Sequence, residues 1–250
     1  CGILKEGSRA VTTPYQAAEA MQVICSHCDA HHIPLLVPKL VPEKQIALTL
    51  SETAFEWEGQ QYRIPLLGHH QISNALVSLG IIQILREEGI HVLHNAVQNG
   101  LMHVKWNGRL EFFSHSPDIV LDTAHNLDGI SALCGALDYY FPGKRIITLM
   151  GMLSDKSYGQ CAKAVASRSD IFFAVAPPEP KRAVSAEEFA STARPYCLDV
   201  REKESVGDAL DSILEQTNEN TVVIICGSIP LVGEARTYLK QKISDTACSH

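Results

Sequence analysis

From Ile119 onward the chain repeats one pattern: a short unbroken apolar run, then a stretch in which apolar residues recur every three or four positions. The runs are Ile119-Val120-Leu121, Ile146-Ile147-Thr148-Leu149-Met150, Ile171-Phe172-Phe173-Ala174-Val175 and Val222-Val223-Ile224-Ile225-Cys226. Unbroken runs of this length predict strands covered on both faces, and hence a mainly parallel α/β sheet. Ile130, Leu133, Cys134 and Leu137 fall on a helical stripe. So do Val206, Leu210, Ile213 and Leu214, and then Leu231, Val232, Ala235, Tyr238 and Leu239. Ser185 followed by Glu188, and Ser205 followed by Asp208, are shaped like capping boxes and predict helix starts.

The first hundred residues read differently. Short strands are predicted over Arg9 to Thr13 and Pro34 to Val37, with a helix over Tyr15 to Cys28 between them. From Gln45 to Leu67 apolar and polar positions alternate around Glu58-Gly59-Gln60, which predicts an antiparallel hairpin. Asn74 to Arg86 is apolar nearly all round and predicts a buried helix; His94 to Leu101 predicts a shorter one. The change of rhythm places a boundary near Lys105 to Gly108, with expected domains over 1–106 and 107–250.

Composition narrows the class. The 250 residues allow one large domain or two ordinary ones, and 46% apolar with 20% charged residues excludes disorder, collagen and coiled coil. With 21 Lys+Arg against 28 Asp+Glu the net charge is -7, which opposes a nucleic-acid partner. The least charged stretch, Leu66 to Leu85, is interrupted by Gly68, His69, His70, Gln71, Ser73, Asn74 and Gln83, so no membrane span is expected. Eight cysteines are too dispersed for a disulfide scaffold and fit a reducing cytoplasm. Cys25, Cys28, His31 and His32 invite a metal reading, but Ala17, Ala20, Met21, Ile24, Cys25 and Cys28 lie at helical spacing, and core packing is favoured. The chain opens Cys-Gly-Ile-Leu-Lys with no initiator Met, and is expected to be a piece of a longer polypeptide.

In an open α/β sheet, ligands gather outside the carboxyl ends of the strands, where helix amides point. Three loops qualify: Leu121-Asp122-Thr123-Ala124-His125-Asn126, Gly151-Met152-Leu153-Ser154-Asp155-Lys156 and Cys226-Gly227-Ser228-Ile229-Pro230. The first brings an acid, an imidazole and an amide; helix capping by Asp122 or Asn126 with a solvated His125 explains it equally well. Lys156 offers a cation to a carboxylate or phosphate, or is simply solvated. Gly227-Ser228 permits close backbone approach, or is a plain strand-to-helix turn. Upstream, Gly68-His69-His70-Gln71-Ile72-Ser73-Asn74 leads into the buried helix, and His69 and His70 read more readily as an ordinary polar loop. Arg109, in Trp106-Asn107-Gly108-Arg109 at the boundary, suits a bidentate anion contact. No GxxxxGK[ST], GxGxxG after a strand, GxSxG or HExxH occurs.

Six blocks taken in order resemble a family. Gly2-Ile3-Leu4-Lys5, Gly68-His69-His70-Gln71-Ile72-Ser73-Asn74-Ala75, Trp106-Asn107-Gly108-Arg109-Leu110-Glu111, Leu121 to Asn126, Asp155-Lys156, and Gly227-Ser228 through Gly233-Glu234 are similar to the folylpolyglutamate synthase and dihydrofolate synthase branch of the Mur ligases. The resemblance implies the C-terminal part of a central ATPase domain followed by a Rossmann-like, mainly parallel α/β ligase domain. It implies an ATP-dependent amide ligase, cytoplasmic and monomeric, acting on ATP, folate and L-glutamate. The phosphate loop, the Mg2+ ligands and an often carbamylated lysine are then expected before the first residue, leaving this chain inactive alone.

By the same resemblance Asn74 sits near the adenine, and Arg109 and Asp122 reach the nucleotide. His125, Lys156 and Ser228 hold the incoming glutamate or the acyl phosphate, with His125 as the catalytic position. Asn107 stands where the family's Trp-Pro-Gly-Arg block has Pro, and Ile229-Pro230 where Leu-Tyr often follows Gly-Ser. The rival readings are a non-catalytic nucleotide- or amino-acid-binding module and a Mur ligase of peptidoglycan synthesis.

Overall fold

The computed structural model describes residues 2–115 and 117–247. The chain divides into two compact units, Cys1–Lys105 and Trp106–His250.

In the first unit, β1 (Ala10–Val11) and β2 (Leu35–Leu36) pair in parallel around α1 (Ala18–Ala30). The helix begins three residues later than the apolar spacing suggests, because the Tyr15 amide donates to Thr13 Oγ1 (3.1 Å) in a side-chain turn that holds the backbone out of the helix. Cys28 packs with Ala10 and Ile33 in a small core, while Cys25 is half-buried. Then β3 (Ile46–Leu48), β4 (Thr53–Trp57) and β5 (Gln60–Ile64) form the antiparallel element, turning through Glu58 and Gly59 at φ of 50° and 74°. Helices α2 (His70–Glu87) and α3 (His94–Met102) follow. Phe55, Trp57, Tyr62 and Ile64 of the sheet pack on Ile72, Ala75, Leu76 and Leu79 of α2. That is one stripe and not the whole circumference expected for a buried helix: Asn74 and Ser78 face outward and Ile81 is 47% exposed.

The second unit contains β6 (Glu111–His115), β7 (Asp118–Asp122), α4 (Leu127–Tyr140), β8 (Arg145–Met150) and α5 (Tyr158–Ala166). It continues with β9 (Ile171–Ala174), α6 (Ala186–Ala193), β10 (Val200–Glu202), α7 (Val206–Leu214), β11 (Thr221–Cys226) and α8 (Ile229–Ala247). The strands form one six-stranded sheet in the order β10-β9-β8-β11-β7-β6. All neighbours are parallel except β6, which runs antiparallel to β7. The four apolar runs are therefore the four inner strands, with Val223 of β11 opposite Ile119 of β7 and Ile147 of β8. Edge strands β6 and β10 escape the apolar-run signal because an edge strand is covered on fewer sides, and β10 has only three residues.

Ser185 Oγ accepts from the Glu188 amide and Ser205 Oγ from the Asp208 amide, so both expected caps form. Among the described residues no helix is long and apolar enough to cross a membrane.

Candidate functional site

β11 lies between β8 and β7, and the three are parallel, so the loops that follow them emerge side by side at one edge of the sheet. The loops are bound to one another. The Gly227 amide donates to the Ala124 carbonyl (3.1 Å). Gly227 has φ of +110°, and a Cβ there would stand 2.7 Å from the Gly151 carbonyl oxygen and 2.9 Å from Met150 Cγ. Only glycine combines that backbone with that closeness, which is how the β11 loop nests against the β8 loop. His125, Lys156 and Ser228 thus share this edge.

Each side chain has a distinct setting. His125 is half-buried, with Nδ1 2.9 Å from the Thr123 carbonyl oxygen. A carbonyl only accepts, so Nδ1 carries the hydrogen, and in the neutral ring Nε2 is the acceptor. Ser228 is 2% exposed, and its Oγ accepts from the Leu231 amide (3.4 Å), capping α8. Asn126 caps α4 by accepting from the Gly129 amide (2.8 Å). Lys156 Nζ lies 3.2 Å from Asp155 Oδ2, and Arg182 Nη1 lies 3.8 Å from the other oxygen. The hydrogen bond from Lys156 holds the Asp155 carboxyl below its ordinary range, helped by the charge of Arg182. Arg182 arrives because the loop after β9 pairs with the loop after β8. The Ser154 amide donates to the Arg182 carbonyl (2.7 Å) and the Val184 amide to the Met152 carbonyl (3.0 Å).

Asp122 is 7% exposed, with its oxygens accepting from the backbone amides of Leu110 (2.8 Å) and Ala124 (2.7 Å). Burial pushes its carboxyl above the ordinary range, against those two amides and the charges of Arg109 and His125. It is first of all a strut between the β7 loop and the segment before β6. Arg109 is exposed, with its guanidinium carbon 5.7 Å from the Trp106 ring centre and no hydrogen bond or ion pair from its side chain among the described residues. Asn74, on α2 of the first unit, is exposed and donates to Gln71 Oε1 (3.0 Å). His69 Nε2 lies 3.5 Å from Glu43 Oε2, so His69 is a partnered polar residue just before α2, whereas His70, expected in a loop, opens the helix.

Residues 108–229 match the family model for the Mur ligase glutamate ligase domain. The chain is 29% identical over 249 residues to the dihydrofolate synthase/folylpolyglutamate synthase of Bacillus subtilis, covering 96% of this chain and 56% of that protein. The relatives it matches are folylpolyglutamate and dihydrofolate synthases. It superposes on Mycobacterium tuberculosis folylpolyglutamate synthase complexed with ADP and AMPPCP, with a TM-score of 0.79 at 25% identity. That match covers 91% of this chain and 54% of the other. It shares the fold of a bifunctional folylpolyglutamate synthase/dihydrofolate synthase with Mn, AMPPNP and L-glutamate bound, with a TM-score of 0.74 at 22% identity, over 96% of this chain and 55% of that one. The chain therefore spans about half the length of the proteins it matches.

Arg109, Asp122, His125, Lys156 and Ser228 all lie within the matched residues 108–229, and Asn74 lies before them. Sequence reasoning missed Arg182, which reaches Asp155 through backbone pairing between two loops. Its available signal was its place shortly after an apolar run, the position that singled out Lys156.

Proposed function

We propose that these residues are the C-terminal part of a folylpolyglutamate synthase, an ATP-dependent ligase that adds L-glutamate to folate. The observation that carries this reading is the edge where the β7, β8 and β11 loops bring His125, Lys156 and Ser228 together, inside a domain matched to glutamate ligases. A folate carboxylate attacks the γ-phosphorus of ATP, giving an acyl phosphate and ADP. The glutamate amine then attacks the acyl carbon, the C–O bond to phosphate breaks, and an amide and inorganic phosphate leave. Such chemistry needs fixed cations and oriented donors more than covalent help from the protein.

Lys156 supplies the cation for a glutamate carboxylate or the acyl phosphate. His125, with Nδ1 anchored on Thr123, presents Nε2 to the incoming amine. Ser228 acts chiefly by starting α8, whose first amides open toward this edge. Asn74, Arg109 and Asp122 serve the nucleotide, Asp122 through lone pairs left over from its backbone bonds. Mg2+ is a different matter. Among the described residues no three His, Cys, Asp or Glu side chains come together to hold a metal, so no residue here is assigned to it. Among the described residues six cysteines are free, which supports a reducing cytoplasm as the place of work.

The sequence has no GxxxxGK[ST] loop to cradle the β- and γ-phosphates, so this chain alone should not turn over. Glutamate-dependent phosphate release from ATP by the purified 250-residue chain would refute that part. For the ligase reading itself, the full gene product should extend a folate with radiolabelled glutamate in an ATP-dependent manner. Extension of a muramyl peptide in place of folate would refute it.

A further inference from the structure

Next to Arg109 the backbone is held in a conformation that a side-chained residue in a free chain avoids. Gly108 has φ of +72° and Leu110, a fully side-chained residue, φ of +44°. A left-handed non-glycine residue is strained and persists only where its surroundings over-determine it. Here they do. The Gly108 carbonyl accepts from the Thr123 amide (2.7 Å), and the Leu110 amide donates to Asp122 Oδ2 (2.8 Å). The Leu110 side chain is buried. The Gly108 amide donates to Glu111 Oε2 (2.8 Å), and both Glu111 oxygens accept from Arg236 Nε of α8 (2.9 and 3.1 Å). Glu111 and Arg236 are largely shielded, with side chains 18% and 23% exposed, and the Arg236 guanidinium also lies 5.9 Å from the Phe113 ring centre. Within this bracket Arg109 alone sends its side chain outward without a polar partner among the described residues.

We propose that Glu111 and Arg236 are positioning residues: a clamp between β6 and α8 that fixes the Trp106–Arg109 segment so that the Arg109 guanidinium meets the nucleotide phosphates already aimed. The inference rests on the reading that Arg109 contacts the nucleotide. A flexible surface arginine would have to be ordered at each binding event; a clamped one is ordered beforehand, and its planar fork loses less on engaging an anion. The clamp draws its second half from a helix far along the chain, so α8 takes part in nucleotide binding without touching it.

The test uses the full gene product and three variants: Arg109→Ala, Arg236→Met, which keeps an unbranched stem over Phe113, and Arg236→Lys, which keeps a charge for Glu111. Arg109→Ala and Arg236→Met should each raise KM for ATP about tenfold while KM for glutamate stays within twofold, and Arg236→Lys should recover part of the loss. Amide exchange across residues 106–111 should quicken in Arg236→Met. If Arg109→Ala raises KM for ATP and Arg236→Met does not, or if exchange in that segment is unchanged, the clamp is overturned and the nucleotide reading stands. If Arg109→Ala itself leaves KM for ATP unaltered, the nucleotide reading falls and the proposal falls with it.

Discussion

Replacing Gly227 by alanine puts a methyl group into the tight seam between the β11 and β8 loops. The new Cβ would lie 2.7 Å from the Gly151 carbonyl oxygen, 2.9 Å from Met150 Cγ and 3.1 Å from Met152 Cγ, at a backbone φ of +110°. The methionine side chains can swing away, but the carbonyl belongs to the β8 loop and moves only with it. Adopting that backbone with a side chain costs about 1–2 kcal/mol. Forcing a methyl against a packed backbone adds about 1–3 kcal/mol. The sum, about 2–5 kcal/mol, is a large share of the roughly 5–15 kcal/mol that holds an ordinary domain together.

Gly143→Ala is the control, since Gly143 has φ of +74° with nothing within 4 Å of its would-be Cβ, and so isolates the conformational part. Urea unfolding followed by far-UV circular dichroism and by fluorescence of the two tryptophans, of which Trp106 lies in the second unit and Trp57 in the first, reads the loss in the variant against the parent chain. With a slope of about 2 kcal/mol per molar urea, Gly227→Ala should lower the midpoint by about 1–2.5 M, clearly more than Gly143→Ala. Equal midpoints for the two variants would mean that the β8 and β11 loops slide apart freely, and that the site edge is not a rigid assembly.

Three further outcomes are expected. In the full gene product, His125→Ala should lower turnover or raise the glutamate requirement while shifting the folding midpoint by no more than about 0.5 kcal/mol; a large stability loss with kinetic constants intact would make His125 scaffold. Burial pushes the Cys161 thiol up to about 11 and holds Cys134 and Cys226 above the ordinary thiol range, so all three should stay unmodified by iodoacetamide in the native protein at pH 8. Mass mapping that finds any of them alkylated before unfolding would contradict the packing. Arg168 hydrogen-bonds both oxygens of Asp138 and holds its carboxyl below the usual 3.8. A depressed folded pKa gives stability that is present above the unfolded value and is lost as the pH falls through the folded one. Arg168→Gln should therefore lower Tm slightly at pH 7 and progressively less below pH 3.8; an offset that stays constant with pH would show that the effect is not ionic.

The inner sheet is legible from sequence because a strand covered on both faces writes itself as an apolar run, and β7, β8, β9 and β11 all do so. Capping is equally legible at Ser185 and Ser205, where a hydroxyl and an acid three residues apart leave a local trace. The outer strands leave little trace: β10 is three residues, Val200–Glu202, two of them charged. The one-sided burial of α2 is not legible, because an apolar composition does not say which face has a partner. At the site, the edge shared by His125, Lys156 and Ser228 follows from strand order once the fold class is known. What Asp122 does with its oxygens, and which arginine meets Glu111 or Asp155, depends on contacts between residues far apart in the chain, and periodicity carries no record of those.

The two rims of the six-stranded sheet are unlike its interior in a way that bears on solubility. The interior strands are segments rich in valine and isoleucine that would stack readily with copies of themselves if laid open. One rim is β10, too short to template another strand and flanked by the Asp199–Arg201 ion pair (2.6 Å). The other is β6, whose register with β7 slips between Phe112 and Ser114. A frayed rim on one side and a charged stub on the other give an incoming chain no straight ladder to extend. In the folded second unit the four apolar inner strands are thus closed off at both rims, and they are laid open only when the sheet comes apart.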